Sequence, residues 1–224
     1  MSSGFFDRKR KSKGPRKAGS RIPGMNSYLI VTEGTQTEPN YFNGLKRKIH
    51  KKVSGNVDIV APAIDVKGKG LGTCSLIEET LNLIKHARIL YQNVWVVFDR
   101  DDFEDFDAAV KMARENNIQA AWSNSCFEYW IDLHFEYCVQ ELTSEDWRRR
   151  VDHQFKKSGL NGGVYQKNDE NIFEELSEEG RLDNAFANAK RRMGEFNSTK
   201  DVPSKFNPGT TVYQLVENLM QYLQ

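Results

Sequence analysis

Four short, mostly apolar runs punctuate the first 125 positions, and the stretches between them carry apolar residues three and four apart. SYLIVTE (27–33), VDIVAPAIDV (57–66), NVWVVFD (93–99) and IQAAWSN (118–124) read as strands. The third is apolar throughout, which predicts burial on both sheet faces. The second contains Pro62, which cannot donate to a ladder, so it is expected near an edge. TEPNYFNGLKRKIHKK follows the first strand with Tyr41, Phe42, Leu45 and Ile49 at helical spacing. Thr37 is its expected cap, and Pro39 suits its first turn. CSLIEETLNLIKHARILY (74–91) and FEDFDAAVKMARENN read as two further helices, and CFEYWIDLHFEYC (126–138) as a fourth, rich in aromatics.

Each crossover is long enough for a parallel connection. The pattern predicts a three-layer α/β domain with a four-stranded, mostly parallel sheet over residues 26–139. Beyond residue 140 the strand signal stops. SEDWRRRVDHQFKKSG, NIFEELSEE, LDNAFANAKRRMGEF and TTVYQLVENLMQYL read as helices, so residues 140–224 are expected as a helical extension packed on the core. Pro208 and Thr210 look like the start of its last helix.

Charge adds one feature. The 224 residues carry a net charge of only +1, which argues against a protein that coats nucleic acid by bulk electrostatics. Eight Lys or Arg fall within residues 5–24, so residues 1–25 form a basic arm, expected to be disordered, and the rest is net acidic. The three cysteines, Cys74, Cys126 and Cys138, are too scattered for a metal knuckle and fit a reducing compartment. No apolar run approaches the ~20 residues that cross a bilayer. A cytoplasmic protein without a membrane partner is expected.

The candidate chemistry lies at the strand ends. The first strand delivers Glu33, then Gly34, with Glu38 one turn on; the third delivers Asp99 and Asp101. In a parallel sheet these ends share one edge, where ligands bind. If the two strands are neighbours, ~4.8 Å apart, Glu33, Asp99 and Asp101 converge. Carboxylates so crowded raise one another's pKa, and a hard divalent ion, Mg²⁺ or Mn²⁺, removes the conflict. Each piece also has a plain structural reading. Glu-Gly can be a turn, and Asp102, Glu104 and Asp105 can complement the next helix's N-terminus. Glu128 is balanced between a metal or water-orienting role and a capping one, Asn124 reads as a cap, and His134 as a satisfied core histidine. The loop KGKGLGT lacks the endings of a P-loop or a dinucleotide site. Its Lys67 and Lys69, and Lys205 further on, are candidate nucleic-acid contacts, while the runs 148–150 and 190–192 read as wet helix faces.

EGTQTEPNYF, VFDRDD, WSNSCFEYWIDLHF and FNPGTTVYQLVENL together resemble the RloB-like (abortive-infection) family, whose core is similar to a Toprim domain. The resemblance implies that Glu33 matches the Toprim glutamate and that Asp99 and Asp101 match its DxD pair, on adjacent strands. It implies Mg²⁺-dependent phosphodiester hydrolysis of RNA or DNA as a phage-defence effector. Glu128 and Glu38, from their own positions at the same edge, are further candidates for the catalytic set, to complete the coordination or orient the water. The resemblance also implies a partner ATPase, and leaves room for a homo-oligomer. The alternative is a non-catalytic adaptor that binds such an ATPase. This chain reads DRDDFED where Toprim domains continue differently, which leaves the role of Asp102 and the number of metals open.

Overall fold

The computed structural model describes residues 22–23, 26–54, 62–101, 104–197 and 200–223. Of the basic arm, only Ile22 and Pro23 fall within that set; they pair in parallel with Ile89–Leu90, apart from the central sheet. Asp102 lies outside it.

The central sheet has five strands: β1 (Tyr28–Thr32), β2 (Ile64–Gly68), β3 (Asn93–Asp99), β4 (Gln119–Asn124) and β5 (Gly209–Thr210). Their order is β2-β1-β3-β4-β5. The first four are parallel, and β2 lies at an edge as expected, although it starts at Ile64, after Pro62, and residues 57–61 of the expected strand 57–66 lie outside the described residues. The expectation of four strands is corrected by β5, which runs antiparallel to β4 with Ser123 opposite Thr210. Two residues of Gly and Thr carry no alternation to read. Their place is set by pairing: Thr211 donates its N–H to the Trp122 carbonyl at 2.8 Å, and its hydroxyl accepts from the Trp122 N–H at 3.0 Å. Thr210 therefore lies in a strand, and the last helix begins at Val212.

Strand alternation sorts the side chains into two layers. Tyr28, Ile30, Trp95, Val97 and Ala121 face one way, onto α1 (Thr37–Val53) and α4 (Phe127–Asp132). Leu29, Val31, Val96, Phe98 and Trp122 face the other, onto α2 (Thr73–His86) and α3 (Phe106–Glu115). Four later helices, α5 (Ser144–Ser158), α6 (Ile172–Leu176), α7 (Arg181–Gly194) and α8 (Val212–Met220), all contribute buried side chains to the α1 side. The sheet is therefore thickly covered on one face and thinly on the other.

Local chemistry departs from the sequence reading in three places. Helix α1 takes Gln36 at its cap position, and the Thr37 hydroxyl instead donates to the Lys167 carbonyl at 3.2 Å. Helix α4 stops at Asp132, where the chain tightens into three-residue bonds: His134 N–H to Ile131 O and Phe135 N–H to Asp132 O. All six of its residues are buried, which accounts for its aromatic bulk. Arg150 is no wet-face residue. It donates to the fully buried Asp132 carboxylate at 2.8 Å and also pairs with Glu136. Burial still pushes Asp132 up to about 6, against the pull of Arg150.

Candidate metal centre

Chain order reverses between β1 and β3: β1 leads to β2 on one side, and β3 leads to β4 on the other. A doubly wound sheet opens a crevice at such a point, beyond the carboxyl ends of the strands. Glu33 leaves β1 there, and Asp99 ends β3. Glu33 is held on both sides of its backbone, donating its N–H to Val97 O at 2.8 Å and accepting at its carbonyl from Gly70 N–H at 2.8 Å. The glycine loop after β2 thus braces the end of β1. Its Lys69 N–H also goes to Thr32 O, so these two donors are not free to cradle phosphate. Gly70 has φ +62, a conformation that favours glycine.

The Glu33 carboxylate turns across the crevice and accepts from the Asp99 N–H at 3.1 Å. Asp99 Oδ2 accepts from the Phe127 N–H at 3.0 Å, tying β3 to the first turn of α4. Asp99 Oδ1 is buried and has no donor among the described residues. Asp101 follows two residues on, in a left-handed turn at φ +36. It is exposed, and its carboxylate accepts from the Ser144 hydroxyl at 2.8 Å.

Glu33, Glu38, Asp99, Asp101 and Lys167 line one cleft of about 250 Å³ with residues 34–37. Gly34 answers why glycine follows Glu33. The Glu38 carboxylate sits where a Cβ on residue 34 would be. Glu128, buried, stands behind the cleft and accepts from Lys167 Nζ at 3.0 Å and the Tyr165 hydroxyl at 3.1 Å. Burial pushes the Glu33 carboxyl up to about 7, with Asp101, Glu38 and Asp105 adding to it while the Asp99 N–H opposes. Burial raises Asp99 well above the carboxylate range, reinforced by Glu38, Asp101, Glu128 and Glu33. Glu38 is raised as well, by burial first and then by Glu128.

The remaining candidates lie elsewhere. Asn124 is not a cap; its amide donates to Ser204 O at 3.1 Å. His134 is buried between Trp130 O and the Tyr41 hydroxyl, and burial lowers it to about 4. Lys69 pairs with Glu79 at 2.7 Å, while Lys67 and Lys205 are exposed. Asp105 accepts from the Cys74 N–H at the start of α2 rather than serving its own helix. Sequence reading missed Lys167 and Tyr165. Both lie on a loop more than 125 residues from Glu38, with no spacing pattern to mark them.

A family model described as RloB-like protein matches residues 28–219. The chain belongs to the RloB-like family. No curated protein and no solved structure matches this RloB-like chain. Among the described residues, no helix is long and apolar enough to cross a membrane.

Whether the RloB-like cleft suits a metal is a question of donors. Among the described residues no three acidic, His or Cys side chains form a closed ligand cluster. The Glu33 and Asp101 carboxylates are turned to Asp99 N–H and Ser144. In kind, the donors fit a hard divalent ion. They are all carboxylate oxygen, they are electrostatically in conflict, and the buried Asp99 Oδ1 lacks any partner among the described residues. Gly34→Ala tests how tightly the cleft is built. The new methyl displaces the flexible end of Glu38 and not backbone, so stability should change by less than ~1 kcal/mol. The expected result is a native-like thermal melt with Mn²⁺ affinity, read by calorimetry, weakened about 10–100-fold.

Proposed function

We propose that this RloB-like protein is a metal-dependent nuclease with a Toprim-like core, hydrolysing phosphodiester bonds of RNA or DNA as an effector in phage defence. The observation that carries the reading is the bond from Asp99 N–H to Glu33 across the β1/β3 crevice, beside the unpartnered Asp99 Oδ1. Glu33, Asp99 and Asp101 would hold Mg²⁺ or Mn²⁺, with Glu38 and Glu128 shaping the charge behind them. The ion would supply Lewis-acid polarisation and water activation. The residues themselves set the geometry: β1 and β3 fix two carboxylates at the ends of adjacent strands inside the sheet, and Ser144 orients Asp101.

A polyanion also needs cations outside so acidic a cleft. One turn along α1, Asn40, Asn43, Lys46, Arg47 and His50 line a groove of about 530 Å³ with Glu170. From Gln36 to Lys46 the helix advances ~15 Å, enough for several backbone phosphates of one strand. This groove joins Lys67 and Lys205 as candidate contacts; Lys69 would have to leave Glu79, and Arg47 its pair with Glu174. Incubation of labelled RNA and DNA with Mg²⁺ or Mn²⁺ tests the reading, and absence of cleavage in both metals would remove it.

The open arrangement of the carboxylates favours a second reading, an adaptor that binds a partner ATPase with a vestigial site. An adaptor keeps its protective effect in cells when Asp99 becomes Asn.

The pKa shifts give a metal-free signature. Glu33 titrates near 7 in the folded protein and at 4.5 as a free side chain. Its contribution is fully present below pH 4.5 and is lost as pH rises through 7. For this partly exposed group the change is on the order of 2–3 kcal/mol. In EDTA, the melting temperature should fall between pH 5 and pH 8, and saturating Mn²⁺ should flatten that fall. A flat profile in EDTA would contradict the assigned charge conflict.

A further inference from the structure

We propose that Lys167 is the phosphate-binding residue of this cleft, exchanging its resting partner Glu128 for a non-bridging oxygen of the substrate backbone. The inference rests on the nuclease reading for its substrate class. It stands on a separate set of contacts.

Among the described residues, Lys167 is the one cation lining a cleft that also holds Glu33, Glu38, Asp99 and Asp101. Its ammonium is built into place. The Lys167 carbonyl accepts from the Thr37 hydroxyl, which ties the loop to the first turn of α1. Two residues earlier, Tyr165 is buried, with its N–H bonded to Asp152 and its ring 5.4 Å from that of Phe155. The loop therefore brings Lys167 over the cleft from the α5 side and holds it there.

The pair with Glu128 is lopsided. The Lys167 side chain is 49% exposed and that of Glu128 5%. Were Lys167 only a counter-ion for a buried carboxylate, its departure would leave Glu128 bare, at a cost of several kcal/mol. Tyr165 lowers this cost, because its hydroxyl donates to the same Glu128 oxygen and stays when the ammonium leaves. A flexible four-carbon stem with three donors suits a group that changes partners, and a compact ammonium suits a phosphate oxygen. Without it, the charged groups lining the cleft are all carboxylates, beside the uncharged residues 34–37.

The test uses the full chain as wild type, Lys167→Met and Lys167→Arg. One measurement is Mn²⁺ binding by calorimetry. The other is anisotropy of fluorescein-labelled single-stranded RNA and DNA 12-mers with Ca²⁺ present. Lys167→Met should weaken oligonucleotide binding about tenfold. It should leave Mn²⁺ affinity equal or tighter, since a positive charge has left the cleft. Lys167→Arg should recover most of the oligonucleotide affinity. Unchanged oligonucleotide binding in Lys167→Met overturns the proposal, and so does a parallel loss of Mn²⁺ affinity and melting temperature, which marks a structural role. Wild type that binds the oligonucleotide but never cleaves it removes the nuclease reading alone, and the Lys167 comparison still decides this one. Wild type that binds neither oligonucleotide removes both.

Discussion

Asp99→Asn is expected to lower phosphodiester cleavage by about 10³-fold, the equivalent of ~4 kcal/mol of lost transition-state stabilisation. Single-turnover assays on labelled RNA and DNA with Mg²⁺ and Mn²⁺ read this directly. The fold should survive. Asparagine keeps the shape, and its carbonyl oxygen still accepts from the Phe127 N–H that Asp99 Oδ2 accepts now. It removes only the charge. Desolvation, followed by the fields of Glu38, Asp101, Glu128 and Glu33, disfavours that charge. The variant should therefore melt higher than the wild type in EDTA while losing the gain that Mn²⁺ confers. Cleavage that persists in Asp99→Asn would place the reaction at another site.

Trp147→Ala should destabilise the whole molecule by about 3–5 kcal/mol, measured by urea unfolding. Trp147 is fully buried on α5, with its ring 4.9 Å from that of Tyr129 on α4. Removing the indole opens a cavity where the late helices meet the α/β layers. Tyr28 on β1, Leu45 on α1, Val151 on α5 and Leu215 on α8 belong to the same buried cluster. The transition should stay single, with helical and tryptophan signals lost together. A separate early loss of the α5–α8 signal would mean that those helices fold as a unit of their own.

The sequence revealed what depends on local periodicity. NVWVVFD is β3 residue for residue, because an unbroken apolar run bounded by polar residues has few other uses. The juxtaposition of Glu33 and Asp99 followed only on the condition that their strands are neighbours, which periodicity does not decide and the order β2-β1-β3 supplies. Side-chain orientation did not follow. Nothing in EGT or DRD shows that Glu33 would bond to a backbone N–H, or Asp101 to Ser144 on another helix. Long-range partners were hidden for the same reason. Lys167 meets Glu128, and Arg150 meets Asp132, only after the chain has folded. A run of three arginines looks alike whether or not one of them is half-buried against an acid. The strand β5 escaped because two residues cannot display a period.

The cleft is bounded by a floor and a roof that come from distant parts of the chain. The floor is the sheet edge at Glu33 and Asp99; the roof is the loop that carries Tyr165 and Lys167, hung between α5 and α6 and latched to Thr37. A fragment ending near residue 139 would still contain every acidic group of the floor. It would leave them uncovered, open to bulk water and short of the cation. The cleft is accordingly assembled from β1 through to the loop before α6, and a pocket whose acidic groups sit in short motifs takes its shape from the much longer polypeptide that closes over them.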